Sequence, residues 1–371
     1  MIPTCEPDIS PDDIRAVVLA LAAGHAAVGP EVQAFEEAVA EKVGISHAVA
    51  TASGSSALHV ALRALGIGPG DKVLVPTLTF IATAAAVVHC GATPVFVDSE
   101  RETWGMDPQH VRSVLSIVED QRRHRDPKAV IATHLYGHPC HIRALRDICD
   151  RAGIPLIEDA CEALGASPIG LGDVTCLSFN HNKIITTGGG GMALTRDAEV
   201  AARMRALVAQ ARADDVEYTH SGVGYNYRLS AFQAALGLSQ LSRLEDFGAS
   251  KWETYNHYRE ALPEAEPQCY RKGCGAAPYP WMPAFLLDRP AAPVIEALLA
   301  RGIGARPVWF PLHQQPCFPG PHADCPVADN LHRRGIILPC SATITPQERQ
   351  EVVAALRAAL ASGTGPPAGP S

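Results

Sequence analysis

Short β-branched runs alternate with alanine-rich stretches through the first half of this chain, and that alternation leaves few folds open. The runs are Val73-Leu74-Val75, Pro94-Val95-Phe96-Val97, Ala129-Val130-Ile131-Ala132, Pro155-Leu156-Ile157 and Cys176-Leu177-Ser178-Phe179. Helical patterns lie between them near 55–65, 80–90, 107–118 and 141–152, with Gly91, Gly153 and the Gly66–Gly70 stretch as helix ends. Strands this apolar offer no polar face to water. They imply a mainly parallel sheet covered by helices on both faces, an α/β fold. Ligands of such sheets sit beyond the carboxyl ends of the strands, which is where this reading puts Asp159 and Ser178.

After about residue 196 the texture changes. Long helical patterns occupy roughly 197–213 and 229–262, a Pro- and Gly-rich stretch follows, and 282–310 and 335–361 suggest a small α+β unit. The expected organisation is a large α/β domain over 1–240, a small C-terminal α+β domain over 241–361 and a disordered Gly/Pro tail over 362–371. The apolar run from Ile14 to Val28 reads as a buried helix with Arg15 near its start. Gly24, His25 and its shortness rule against a membrane span.

Charge and cysteine usage narrow the function. A net charge of −8 disfavours nucleic acid as a partner, because a phosphate backbone calls for a basic face. Eleven scattered cysteines make a poor disulfide framework, and the first residues lack a signal-peptide pattern, so a reducing cytoplasm is expected. Gly66-Ile67-Gly68-Pro69-Gly70 precedes a strand rather than a helix and is no dinucleotide fingerprint. His134, His138 and His141 are spaced like metal ligands, but Gly137 and Pro139 break any shared helix. Cys269 and Cys274 lack a second pair, so no metal is expected.

The chemistry-bearing residues form an ordered set. Leu156-Ile157-Glu158-Asp159-Ala160 is a hydrophobic run ending in acids. Downstream, Ser178-Phe179-Asn180-His181-Asn182-Lys183 leads into the glycines Gly188 to Gly191. Alone, a lysine in a glycine-rich turn is an ordinary surface residue and an aspartate closing an apolar run is an ordinary cap. Together they are what a pyridoxal phosphate (PLP) enzyme needs: an amine for a Schiff base and a carboxylate that keeps the pyridine nitrogen protonated. Ala52-Ser53-Gly54-Ser55-Ser56 opens a helix whose free amides favour a phosphate. Phe80, after a strand, is an aromatic able to stack on a flat ring or to fill core. Gly224-Tyr225-Asn226-Tyr227-Arg228 is a polar, aromatic cluster suited to phosphates, sugar hydroxyls or a subunit interface. The loop from Arg306 to His313 is either a second ligand-facing segment or a Pro-rich turn over core.

Taken in order, these pieces resemble the DegT/DnrJ/EryC1/StrS family of PLP-dependent sugar aminotransferases, from about Gly29-Pro30 to about Pro339. The likeness is carried by Ser53 to His59, Gly91 to Asp98, His134 to Pro139, Glu158-Asp159-Ala160, Ser178 to Lys183 and Gly224 to Arg228. It implies a fold type I aminotransferase. Lys183 would be the Schiff-base lysine and proton carrier, and Asp159 the partner of the pyridine nitrogen. Glu162 would lie near the ring hydroxyl, where the family has Gln, His or Glu. Gly54, Ser55 and Ser178 would hold the phosphate, and Phe80 would stack on the ring. Asn226 would reach the phosphate of the neighbouring subunit's cofactor, which implies a homodimer with shared active sites. Tyr225, Arg228 and His313 would lie near the substrate, and Arg306 is a candidate for its anionic groups. The motifs Asn182 to Gly188 and Asp159 to Gly165 look most like enzymes that aminate C4 of a nucleotide-linked 4-keto-6-deoxy sugar, with L-glutamate as donor in ping-pong turnover.

Two departures stand out. His181 occupies a position that is usually small, where it would crowd the cofactor or serve the substrate as an extra donor. The stretch from Gly165 to Asp173 is shorter than the family pattern, which carries a small hairpin there. Competing readings are a sugar dehydratase, whose relatives replace the lysine with histidine, and a non-catalytic regulatory protein binding PLP or a sugar nucleotide. The presence of Lys183, Asp159 and Ser178 weighs against both.

Overall fold

The computed structural model describes residues 1–120, 127–214, 216–268 and 277–362. Cys269, Cys274 and the expected tail from 363 onward lie outside the described residues.

A seven-stranded sheet organises the first half. Its strands are β1 His47–Thr51, β2 Lys72–Pro76, β3 Thr93–Val97, β4 Pro127–Thr133, β5 Leu156–Asp159, β6 Val174–Ser178 and β7 Gly191–Thr195, in the spatial order β1-β7-β6-β5-β4-β2-β3. From β6 across to β3 all neighbours run parallel. Only β7 is antiparallel to its neighbours, β1 and β6. Period-two alternation sends successive residues of each strand to opposite faces. Val73, Val75, Ala129, Ile131 and Ile157 therefore join one core, while Leu74, Val130, Ala132 and Leu156 join another. This double burial is why the strands read as continuous apolar runs.

The helices are α1 Pro11–Ala22, α2 Pro30–Val43, α3 Gly54–Ala64, α4 Ala82–His89, α5 Pro108–Asp120, α6 Ile142–Ala152, α7 Ala198–Val208, α8 Ala231–Ser242, α9 Leu244–Ala261, α10 Ala292–Leu299, α11 Pro326–Arg334 and α12 Pro346–Ser362. Helices α3, α4 and α7 supply the first core, with Ala57, Leu58, Val60 and Leu62 of α3 wholly buried. Ile142, Leu145, Ile148 and Cys149 of α6 supply the second. Among the described residues, no helix is long and apolar enough to cross a membrane.

A smaller antiparallel sheet follows, with β8 Glu266–Pro267, β9 Ala284–Leu286, β10 Arg306–Pro307 and β11 Gly335–Ile337 in the order β10-β11-β9-β8. The first residues pack here rather than on the large sheet: Ile2 N–H donates to Gly302 O (2.8 Å), and Gly304 N–H donates to Ile2 O (2.7 Å).

Several expectations need correction. The stretch from Ile14 to Val28 is not a buried helix in this chain. α1 ends at Ala22, and Ile14, Val18, Leu19 and Leu21 are exposed, because the helix turns Asp13 and Ala20 inward. The long helical pattern over 229–262 breaks at Arg243. There the guanidinium leaves the helix line to meet Asp8 (2.9 Å) and Asp13. The pattern over 197–213 stops at Val208, and Ser362, assigned to the tail, closes α12. Strands β1 and β7 carry little local signal, because alanine and glycine give them little β-propensity of their own. They are strands because they pair with each other, Thr51 opposite Gly191.

Gly191 sits where β7 passes under the start of α3. An added Cβ would lie 2.4 Å from the carbonyl carbon of Ser53 and 2.6 Å from Gly54 N, both backbone atoms that cannot swing aside. Gly191→Ala is expected to cost about 3 kcal/mol, the upper range for overpacking. Chemical denaturation would read the loss, and an unchanged midpoint would contradict the close approach.

Candidate active site

Beyond the carboxyl ends of the central strands lies a cavity of about 390 Å³. Gly54, Ser55, Phe80, Asp159, Glu162, Ser178, Lys183 and Arg306 all line it.

One end is built to attract an anion. Ser53 caps α3, its Oγ accepting from Ser56 N–H (3.1 Å), and the Ala57 amide is taken by Ser53 O (3.0 Å). The Gly54 and Ser55 amides have no partner inside the helix, as in any first turn, and they carry the positive end of its dipole. A Cβ at Gly54 would stand 2.8 Å from Ser178 Cβ and 2.9 Å from Cys161 Sγ. Glycine is therefore what lets the helix start close against the end of β6 and bring Ser178 beside the free amides.

The other end holds acids. Asp159, the last residue of β5, is 5 % exposed. Its Oδ2 accepts from Thr83 Oγ1 (2.6 Å) and its Oδ1 from Cys161 N–H (3.2 Å). Among the described residues, no basic side chain pairs with it. Glu162 accepts from the Tyr136 amide (2.8 Å) and stands 3.8 Å from Lys183 Nζ. Burial raises its pKa above the ordinary carboxylate range, and the Lys183 charge pulls the other way. Tyr136 adopts a left-handed backbone (φ 56°), which a non-glycine residue tolerates only when held. It is held by Glu162, by Trp281 N–H donating to its carbonyl (3.0 Å) and by Trp309 N–H donating to its hydroxyl (2.9 Å).

Lys183 projects between these features. Its Nζ lies 3.7 Å from the centroid of the Trp281 ring, and Trp281 Nε1 donates to Asn182 O (2.7 Å). Phe80, half exposed, tilts against Trp309 with centroids 5.3 Å apart. A free lysine amine beside a buried unpaired carboxylate and an amide-lined anion site can bind a small phosphorylated cation and move protons next to it.

The sequence model of the DegT/DnrJ/EryC1/StrS aminotransferase family matches residues 7–357. The chain belongs to this family. It is 37 % identical over 346 residues to the GDP-perosamine synthase of Caulobacter vibrioides, covering 89 % of this chain and 90 % of that protein. It is 34 % identical over 337 residues to the UDP-N-acetyl-3-dehydro-alpha-D-glucosamine 3-aminotransferase of Acidithiobacillus ferrooxidans, covering 88 % and 87 %. A crystal structure of a DegT DnrJ EryC1 StrS aminotransferase from Brucella abortus superposes with a TM-score of 0.87 at 29 % identity, covering 94 % of this chain and 95 % of that one.

Other residues singled out in this aminotransferase lie off the cavity wall. His181 is exposed and outside the lining, so it does not crowd the cavity. His313 Nδ1 sits 2.7 Å from Thr77 Oγ1 and its Nε2 3.4 Å from Asp329, which ties its loop to the residue after β2. Tyr225 stacks on Tyr227 (4.9 Å, 14°) and packs on His59, while Asn226 and Arg228 are exposed.

The 165–173 stretch is fastened by a buried carboxylate. Buried Glu158 accepts from the Gly170 amide (2.9 Å), from the Gly172 amide and from His134 Nε2 (2.8 Å). The Cys140 amide donates to His134 Nδ1, which makes Nε2 the protonated nitrogen. His138 Nδ1 instead faces Pro139 O. His141 lies 3.6 Å from Glu100 and 3.7 Å from Glu102, so the three histidines do not converge on one ion. Trp281, Thr83 and Cys161 were not legible as site residues. Trp281 follows a Pro-rich stretch and Thr83 sits in an alanine-rich helix, with no local pattern to mark either.

Proposed function

We propose that this protein is a PLP-dependent aminotransferase moving the amino group of L-glutamate to the C4 keto carbon of a nucleotide-linked 4-keto-6-deoxy sugar, in two half-reactions. The observation that carries the reading is the convergence of Lys183, Asp159, Glu162 and the amide end of α3 on one cavity. The residues present fit the cofactor. A buried carboxylate without a basic partner complements a protonated ring nitrogen, since an uncompensated buried charge is costly. Free amides at a helix start beside a serine hydroxyl complement a phosphate.

Gly54, Ser55 and Ser178 would hold the phosphate, Asp159 the ring nitrogen and Glu162 the ring hydroxyl, with Phe80 over the ring. PLP supplies an electron sink and carries the amino group from donor to acceptor. Lys183 would hold the cofactor through Nζ and, with its amine free, would serve as the base that takes up and returns the proton beside it. Arg306, on the lining and exposed, would face the carboxylate or diphosphate of the substrates. The C4 position rests on the Asn182–Gly188 and Asp159–Gly165 motifs.

A homodimer completes the site. Asn226 stands off its own cavity at the base of an arm bridged at Ala209 to Asn226 and at Arg212 to His220. That arm exposes Val216, Tyr218 and Val223 at 88, 65 and 92 %. Such apolar exposure beside a site is what a second copy would cover, bringing Tyr225, Asn226 and Arg228 to its cavity. The cytoplasm is the expected setting, and every cysteine among the described residues is free.

The purified protein should show a visible absorption band that moves to the near ultraviolet on adding L-glutamate. Among 4-keto and 3-keto nucleotide sugars, only the 4-keto set should restore the visible band. No band with added PLP would defeat the cofactor assignment, and restoration by 3-keto sugars alone would defeat the C4 assignment.

A further inference from the structure

Trp281 lies ahead of β9, far along the chain from the catalytic turn, yet it grips Lys183 at both ends. Its indole N–H donates to the carbonyl of Asn182, the peptide joining Asn182 to Lys183 (2.7 Å), and its ring face lies 3.7 Å from Lys183 Nζ. The indole has little freedom to move. It is 1 % exposed and stacks nearly parallel on Tyr136, with centroids 6.3 Å apart at 19°. Its backbone is pinned on both sides: the amide donates to Tyr136 O (3.0 Å), and the carbonyl accepts from the buried ammonium of Lys251 on α9 (3.1 Å). Lys251 spends its other contacts on Cys340 O (2.6 Å) and Cys5 Sγ (3.8 Å), and Cys5 Sγ in turn donates to Asn182 O (3.4 Å).

Lys183, by contrast, is a four-carbon chain whose Nζ, among the described residues, forms one ion pair, with Glu162 at 3.8 Å, beyond hydrogen-bond length. An ammonium over the face of an indole is attracted by the ring quadrupole, and tryptophan is the strongest of the aromatic partners. We propose that Trp281 is the positioning residue of Lys183: its ring face is the resting place of the amine whenever Nζ is free, and its N–H fixes the peptide from which that amine swings. A base held in this way stays near the atom it must deprotonate, and a 1 Å displacement can cost about 10²-fold in rate.

The kinetic part of this inference rests on the aminotransferase reading, while the placement of the amine does not. Two variants separate face from packing: Trp281→Phe keeps an aromatic face without the N–H, and Trp281→Leu removes both. In cofactor-free protein, acetic anhydride labelling of Lys183, read by peptide mass spectrometry, should rise about 10-fold in the leucine variant and stay near wild type in the phenylalanine one, as the cation–π contact predicts. In holoenzyme, Trp281→Leu should lower kcat for the glutamate half-reaction about 10²-fold with KM little changed, and Trp281→Phe should restore most of it. Trp281→Met, unbranched, flexible enough to fill an irregular gap and without an aromatic face, replaces the leucine variant if that one fails to fold. Unchanged labelling in a folded leucine or methionine variant overturns the assignment and leaves the aminotransferase reading standing. Equal losses in the phenylalanine and leucine variants, or a change in KM alone, also overturn it. Raised labelling without any sugar acceptor supports it while the aminotransferase reading falls.

Discussion

Lys183→Ala is expected to lower transamination by roughly 10⁴-fold or more, the scale seen when a covalent catalyst is removed. Among the described residues near the cavity, no other cationic side chain is placed to take over. Lys251, the other buried ammonium near the site, is sealed behind Trp281 with its contacts committed to Trp281 O, Cys340 O and Cys5 Sγ. Arg306 reaches the cavity, but a guanidinium offers no acceptor atom to serve as a base. The Lys183 amide donates to Asn180 O (3.0 Å), a bond alanine keeps, and among the described residues its side chain makes no hydrogen bond. Its one charged contact is the 3.8 Å approach to Glu162, so the variant should fold normally. Rapid mixing with L-glutamate would measure the half-reaction directly, and turnover at the wild-type rate would remove Lys183 from the mechanism.

Asp159→Asn should weaken PLP binding by about 10²–4×10³-fold, because breaking a buried charge pair by altering one partner costs about 3–5 kcal/mol. The isosteric amide keeps the shape but not the charge. The fold should survive, because Thr83 belongs to a chain of hydroxyls that can reverse its donors. Thr83 Oγ1 is 3.0 Å from Thr79 Oγ1, which is 3.2 Å from Thr133 Oγ1. The new NH₂ can therefore find an acceptor where the carboxylate had a donor. Titration of cofactor-free protein with PLP would read the affinity. Wild-type affinity in Asp159→Asn would mean that Asp159 does not meet the ring nitrogen.

The two substitutions probe residues that were legible in different ways. Asp159 closes an apolar strand, and strands buried on both faces announce themselves as continuous apolar runs. Lys183 stands in a turn between Ser178 and four glycines, and backbone approach there demands residues without side chains, as the 2.4 Å between a Gly191 Cβ and Ser53 makes plain. The start of α3 was readable from Ser53 and Gly54 because a cap and a close approach are local requirements. Strands β1 and β7 were not readable, since their alanine and glycine residues become strand only by pairing with each other. The break at Arg243 was equally hidden. At that break Arg243 meets a pair of aspartates from the first helix and the segment before it, at the far end of the sequence.

The α/β class, the strand ends that carry Asp159 and Ser178, and the catalytic turn followed from the sequence alone, because each depends on period, burial or steric limits within a few residues. Tertiary structure decided which side chains surround the amine. Trp281 and Trp309 enter the site from around the small sheet, whose strands are two or three residues long and have no local signal. The same packing carried His181 out to solvent and committed His313 to Thr77. Contacts between distant segments depend on how two cores dock, and no window along the chain contains both partners.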